Sequence, residues 1–310
     1  MAADTSLTLR GVDFSSSPTR RKPIVLAQGR LLPPGPAEHS GSCGRSTSPK
    51  GSDPRAGSAP AHTPAASHHL PAVELQHLRR LESLDAYAAT LTEPGPWVGA
   101  FDFPFSLPRE LVETLGWPTT WLALMQHYRG LARSEIREHF AAFCHARPAG
   151  SKFAHRVCDL PAGSSPSMKW VNPPVAWMLH AGVGPLIDAG CDLPGLHPGD
   201  PSRVALEAYP GLLAREVLGR RSYKADDKAR QDETRRAARA ELLDSLQAGR
   251  TRLALRLDIT PAQRAELVDD PQGDLLDGVL CLMQAGWASQ RPGWGLPPDL
   301  DPLEGWIVSA

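Results

Sequence analysis

Five acidic positions stand where carboxylates are costly. Asp13 ends the alternating apolar run Leu7-Thr8-Leu9-Arg10-Gly11-Val12-Asp13-Phe14 and is followed by Ser-Ser-Ser-Pro, which is turn chemistry. Asp102 is the one charge in Trp97-Val98-Gly99-Ala100-Phe101-Asp102-Phe103-Pro104-Phe105, and such a charge is unfavourable unless paired, hydrogen-bonded or coordinated. Strand alternation places it on the face of Val98 and Ala100, opposite Trp97, Gly99, Phe101 and Phe103. Asp274 and Asp277 open GDLLDGVLCLMQAGWA, residues 273–288. At helical spacing they share one side with Gly278, Cys281, Ala285 and Ala288, while large apolar residues cover the rest. The helix is therefore expected to be buried nearly all round, with a small-residue stripe that lets it approach a sheet. Glu207, between Leu206 and Ala208 on a strand over 204–209, is the fifth.

Each acid has a local reading. Asp13 suits an Asx turn, Asp102 a strand-end cap toward Pro104, Asp274 a helix N-cap, and Glu207 a solvated edge strand. Asp277 suits a first-turn, dipole-favoured position least well, because such acids help most in solvent and this stripe faces the sheet. Acids that converge in a low dielectric repel one another and take up protons unless a cation neutralises them. Mg²⁺ takes hard oxygen ligands and is shared between carboxylates and a substrate phosphate. Two such ions about 4 Å apart activate water and stabilise the leaving oxygen in displacement at phosphorus. The candidate ligands are Asp13, Asp102, Asp274, Asp277 and Glu207, around Mg²⁺ or Mn²⁺.

The elements that must position them follow from periodicity. Strands are expected over 7–14, 24–31 and 73–81, the first two forming a hairpin, with a fourth over 97–105 and another over 204–209. A short helix is expected over 84–91 and helices over 109–115, 119–130 and 134–147. Loops rich in Pro and Gly fill 150–200, with one helix near 175–180. Pro210 opens a further helix, 226–247 reads as one long charged helix, 274–287 as an apolar one, and 304–308 as a closing strand. This order predicts an α/β domain spanning 1–310, with a mixed sheet flanked by helices and a helical or loop insertion over 106–200 after the fourth strand. Residues 33–71 are Pro, Gly, Ser, Ala and His with almost no large apolar side chain, and are expected to be a disordered insertion. His62, His68 and His69 within it have no rigid partner nearby.

The chain has 310 residues, with 33 Lys and Arg against 34 Asp and Glu, a formal charge of -1. No global field marks a nucleic-acid, membrane or acidic partner, so any preference must be local. The five cysteines, Cys43, Cys144, Cys158, Cys191 and Cys281, are odd in number and form no C-x-x-C pair, which argues against a disulfide framework or structural zinc. With no signal segment and no uncharged apolar stretch of membrane-spanning length, the expectation is a soluble cytoplasmic protein that does not enter membranes.

An Asp on the first strand followed by a hairpin, an acid on the fourth strand and an Asp pair opening a buried final helix resemble the ribonuclease H-like fold, nearest its resolvase branch. More narrowly, GVDFS, GAFDFPFSLP, LEAYPG, YKADDKARQDETRRAARAELL and DLLDGVLCLMQAGWA followed by EGWIV resemble a domain-of-unknown-function family of predicted nucleases with that fold. The resemblance covers nearly all of the chain outside 33–71 and 145–200. It implies a mixed five-stranded sheet, nucleic acid as substrate, and metal-dependent phosphodiester hydrolysis with Asp13, Asp102 and Asp274 or Asp277 as ligands and Glu207 as an addition. The catalytic set would be Asp13, Asp102 and Asp277. A neutral overall charge departs from the basic substrate face usual in that superfamily.

Substrate contacts are expected from Lys224, next to Tyr223, at the start of a locally basic stretch over 215–239, and from Lys169 and Trp170 in the loop SPSMKWVNPP, where a ring could stack on a base. The competing readings are a solvated helix with i,i+4 ion pairs and an ordinary buried Trp. Cys158 beside Asp159 lacks an arrangement that would activate a thiol. Two other functions are consistent with an Asp on the first strand. One is a non-catalytic nucleic-acid- or nucleotide-binding module of the same fold. The other is a phosphotransferase of the actin and sugar-kinase type, disfavoured because Phe-Ser-Ser-Ser replaces the glycine-bearing phosphate turn it needs.

Overall fold

The computed structural model describes residues 7–34 and 70–310. Three antiparallel strands come first: β1 (Thr8–Asp13), β2 (Ile24–Leu32) and β3 (Ala72–Leu81). Helix α1 (Leu84–Leu91) begins where the Ser83 side chain accepts from the Ala86 amide at 3.0 Å, and leads into β4 (Trp97–Asp102), parallel to β1. Next come α2 (Arg109–Thr114), α3 (Trp121–Gly130), α4 (Arg133–His145), α5 (Asp159–Ala162) and α6 (Val175–Asp188). The chain then returns through β5 (Cys191–Asp192) and β6 (Asp200–Glu207), continues as α7 (Pro210–Leu218), α8 (Glu233–Gln247), β7 (Arg256–Asp258) and α9 (Pro261–Asp269), and ends with α10 (Asp274–Ala288) and a terminal segment. The mixed sheet has seven strands in the order β5-β6-β4-β1-β2-β3-β7.

The five-stranded expectation is corrected at both edges. β5 has two residues and β7 three, too few for a periodic signal, and each adds to its neighbour in parallel. The helix expected over 226–247 starts instead at Glu233, because the Asp232 carboxylate accepts from the Arg235 amide at 2.9 Å and caps it there. α9, capped by Thr260 and Gln263, was hidden in a stretch of low amphipathicity. The terminal segment over 304–308 forms no strand and joins the sheet through one parallel bridge, Ile307 to Glu207, with the Val308 amide donating to the Glu207 carbonyl at 2.9 Å. Of the expected insertion over 33–71, residues 35–69, with Cys43 and the three histidines, lie outside the described residues. The four described cysteines are buried and unbridged. No helix among the described residues is long and apolar enough to cross a membrane.

The sheet divides the core in two. Leu9, Val25, Val98 and Ala100 pack with Leu276, Val279 and Leu280 of α10 and with the α7 to α9 layer. Val12, Ile24, Trp97 and Phe101 face the other way, against Tyr87, Leu124, Tyr128, Phe140 and Leu179 of α1 to α6. The two-residue period of β1 and β4 therefore turns Asp13 and Asp102 toward the α10 face. α10 lies unusually close to β1 there. A Cβ on Gly11 would sit 2.1 Å from the Gly278 carbonyl oxygen and 2.1 Å from the Leu282 amide nitrogen, so only glycine permits this separation.

Candidate metal centre

β1 and β4 end together: Asp13 and Asp102 are register partners on neighbouring parallel strands. Above them, α10 opens at Gly273, whose positive φ of 75° turns the chain into the helix, and its first turn delivers Asp277. One carboxylate oxygen from each of Asp13, Asp102 and Asp277 lies within 4.8 Å of the other two. Asp277 is fully buried, and its two oxygens accept from the Tyr223 hydroxyl and the Lys224 ammonium. Among the described residues, Asp13 and Asp102 accept no hydrogen bond. The Asx turn and strand-end cap that would have satisfied them locally are not formed.

Electrostatics reflect this crowding. Burial, then the charges of Asp277 and Asp274, push the Asp13 carboxyl well above its ordinary range. Asp102 is pushed up to about 7, first by burial and then by Asp277. Asp274, 8% exposed, is raised to about 6, chiefly by burial with Lys22 acting against it. Burial alone would lower the Lys224 ammonium, but Asp277, Tyr223, Asp13 and Asp102 together hold it well above its usual value. Its side chain remains 42% exposed while its ammonium pairs with Asp277.

The donor set fits a hard divalent cation. All candidate ligands are carboxylate oxygens, two of the three carboxylates have no competing donor, and their mutual repulsion is relieved by positive charge. Oxygens sharing an octahedral ion at about 2.1 Å are separated by up to about 4.2 Å, close to the spacing present.

Glu207 does not join them. Its oxygens accept from Arg156 at 2.5 and 2.7 Å and from the Phe105 amide at 2.9 Å. Arg156, 1% exposed, also grips Asp159 at 2.9 Å. The acid that reads as a solvated edge residue or an extra ligand is half of a buried ion-pair network, because β6 is an inner strand and Arg156 comes from a loop that no pattern connects to it. Burial pushes the Cys158 thiol up to about 12, as expected of an inert cysteine. Trp170 is half-buried, packs its ring beside Phe153 and Phe140 with centroids 5.6 and 6.3 Å away, and does not line the acids' cavity. Lys169 also lies away from the acids' cavity, which takes Asn172, Pro173 and Pro174 from the same loop instead.

That cavity, of about 450 Å³, is bounded by Asp13, Asp102 and Asp274, by the ion pairs Lys22–Asp226 and Arg156–Glu207 and by Lys224, with less polar side chains from α6 and the segment after β6. No family model, curated protein or solved structure matches the chain. Sequence reasoning missed Lys22, which reads as hairpin-turn filler yet lines the cavity and pairs with Asp226 at 2.9 Å. It also passed over Tyr223, whose hydroxyl orients Asp277. Only its adjacency to Lys224 pointed there.

Proposed function

We propose that this chain is a divalent-metal-dependent phosphodiester hydrolase acting on nucleic acid, with Asp13, Asp102 and Asp277 holding Mg²⁺ or Mn²⁺. The observation that carries the reading is the convergence of three carboxylates, two without a hydrogen-bond donor, at the carboxyl ends of two parallel strands. Such a group persists in a folded protein when a ligand rewards it. When bound, the ion would neutralise the acids and promote attack of water on phosphorus. Tyr223 and Lys224 hold Asp277 in place. Lys224, at the cavity edge, offers a positive charge to a phosphate oxygen. Asp274 adds a further oxygen at the wall and, with its carboxyl raised to about 6, a proton acceptor near neutral pH. The strand order β3-β2-β1-β4-β6 within the larger sheet supports the resemblance to a ribonuclease H-like arrangement, with β5 and β7 as additions at its edges.

The test is incubation of the purified chain with single- and double-stranded RNA and DNA, hybrids and junctions, in Mg²⁺ and in Mn²⁺. Cleavage that is lost in Asp13→Asn is expected. Absence of cleavage in both metals, or equal cleavage by Asp13→Asn, overturns the proposal.

A further inference from the structure

We infer that the cavity takes a single nucleotide unit, so that hydrolysis acts at the end of a strand rather than within it. This rests on the function proposed above and adds its substrate class. The first support is size. At about 450 Å³ the cavity lies toward the small end of the roughly 300–1,000 Å³ typical of small-molecule sites, the size of a site for one nucleotide.

The second support is the lining that the acids do not use. Val175 and Met178 of α6, Tyr209 and Ile307 present apolar and aromatic surface to the same space. Tyr209 is held in place. Its hydroxyl accepts from Arg215 at 3.1 Å, whose guanidinium carbon lies 5.1 Å from the ring centroid. A Cβ on Gly211 would meet the ring at 2.6 Å, so the glycine lets the ring lie against the start of α7. A fixed aromatic ring in the cavity whose lining includes carboxylates suits a molecule with a flat base and a phosphate.

The third support is charge. Proteins that grip a long polyanion neutralise many phosphates with free Lys and Arg. The cavity's cations, Lys22, Lys224 and Arg156, are each ion-paired. In the basic stretch over 215–239, Arg221, Arg235 and Arg236 pair with Glu241, Asp232 and Asp269, and Arg239 is buried on the carbonyls of Val268 and Tyr223 at 2.7 Å. Arg215, Arg220, Lys228 and Arg230 carry no ion pair among the described residues, and none lines the cavity; Arg215 donates instead to the Ala162 carbonyl and the Tyr209 hydroxyl. Arg20 and Arg21, in the β1–β2 turn, are likewise unpaired among the described residues and outside the lining. Further cations without an ion pair among the described residues, such as Arg133, Arg137 and Lys169, also stand outside the lining, so the cavity itself offers charge for one or two phosphates rather than a tract. In the step, the hydroxyl of water goes to phosphorus, the bond from phosphorus to the neighbouring sugar oxygen breaks, and water's remaining hydrogen ends on that oxygen.

The experiment compares linear and covalently closed circular forms of one single-stranded DNA and one single-stranded RNA in Mn²⁺, with products resolved by chromatography. Calorimetric titration with adenosine and thymidine 5′-monophosphates in Mn²⁺ measures binding independently. Mononucleotide release from linear strands, intact circles and one-to-one binding of at least one monophosphate are expected. Binding should weaken roughly 5- to 100-fold in Tyr209→Ala, survive in Tyr209→Phe, and be blocked in Val175→Trp, which fills the cavity by a different route. Circles cut as fast as linear strands, no monophosphate binding to the unaltered chain, or binding unchanged in both Tyr209→Ala and Val175→Trp would each overturn the inference while leaving hydrolysis standing. No cleavage of any form overturns hydrolysis and the inference together.

Discussion

Asp13 and Asp102 face one another as partners across two parallel strands, with no described donor serving either carboxylate. Neighbouring strands run about 4.8 Å apart, so the pair is held at a separation that the backbone ladder fixes. Asp277 closes the group from a different layer. The strain is electrostatic, and each of the following outcomes tests a way of relieving it.

Neutralising one acid should stabilise the metal-free protein and abolish its response to metal. Asp102→Asn is expected to raise the metal-free unfolding free energy at pH 8 by on the order of 2–4 kcal/mol. It should also remove the rise in Tm expected when Mn²⁺ is added to the unaltered chain. Thermal melts with and without Mn²⁺ read both; a variant that is destabilised and still responds to Mn²⁺ contradicts the assignment.

The pH dependence has a defined sign. The Asp102 carboxyl lies at about 7 in the folded chain and Asp274 at about 6, against about 3.9 for an unfolded Asp. Between these values the folded state holds more protons, so metal-free stability is greatest below pH 4 as far as these groups decide it, and is lost as pH rises toward 7. Under the proposed function Mn²⁺ would bind the deprotonated acids, so its stabilisation should grow across the same window. Urea titrations from pH 4.5 to pH 8 check this, and a flat metal effect refutes it.

Lys224→Met leaves Asp277 buried without its ammonium partner. The loss for a fully buried pair is about 3–5 kcal/mol. With the Lys224 side chain 42% exposed, solvent screening reduces the expected cost to about 1–3 kcal/mol. Saturating Mn²⁺ should recover much of it, a recovery visible by differential scanning calorimetry.

Glu207→Gln separates the ion-pair network from the metal centre. It leaves Arg156 with Asp159 as its remaining carboxylate partner and should destabilise the fold by roughly 1–3 kcal/mol, while the Mn²⁺ dissociation constant of the folded fraction stays within about twofold. A variant that folds but binds no Mn²⁺ would restore Glu207 to the ligand set.

Gly11→Ala presses a methyl group onto the backbone of α10, where neither Gly278 nor Leu282 can yield by rotating a side chain. Overpacking of this kind costs about 1–3 kcal/mol. Because the displaced helix carries Asp277, Mn²⁺ affinity should fall in proportion, unlike the effect of an equally destabilising change on the far face of the sheet, such as Leu26→Ala. Paired denaturation and metal titrations distinguish the two.

What was legible in the sequence were features that repeat. Alternation in 7–14 and 97–105 located β1 and β4 and the side of the sheet their aspartates occupy, and helical spacing placed Asp277 at the sheet-facing start of α10. Short elements left no such trace, so β5 and β7 escaped. Glu207 was misleading because its environment is made by Arg156, 51 residues earlier in the chain; a loop cation's destination has no periodicity. For Trp170 and Lys169 residue type was the only signal, and type does not say which cavity a loop side chain reaches; neither lines that of the acids.

Lys224 places a cation of the protein's own against the acid cluster, bonded to Asp277. Under the proposed function, the chain would then fold with its acids already partly neutralised, and an incoming ion would have to compete with that ammonium. Occupancy would depend on the outcome of this competition, and so on the concentration of free ion.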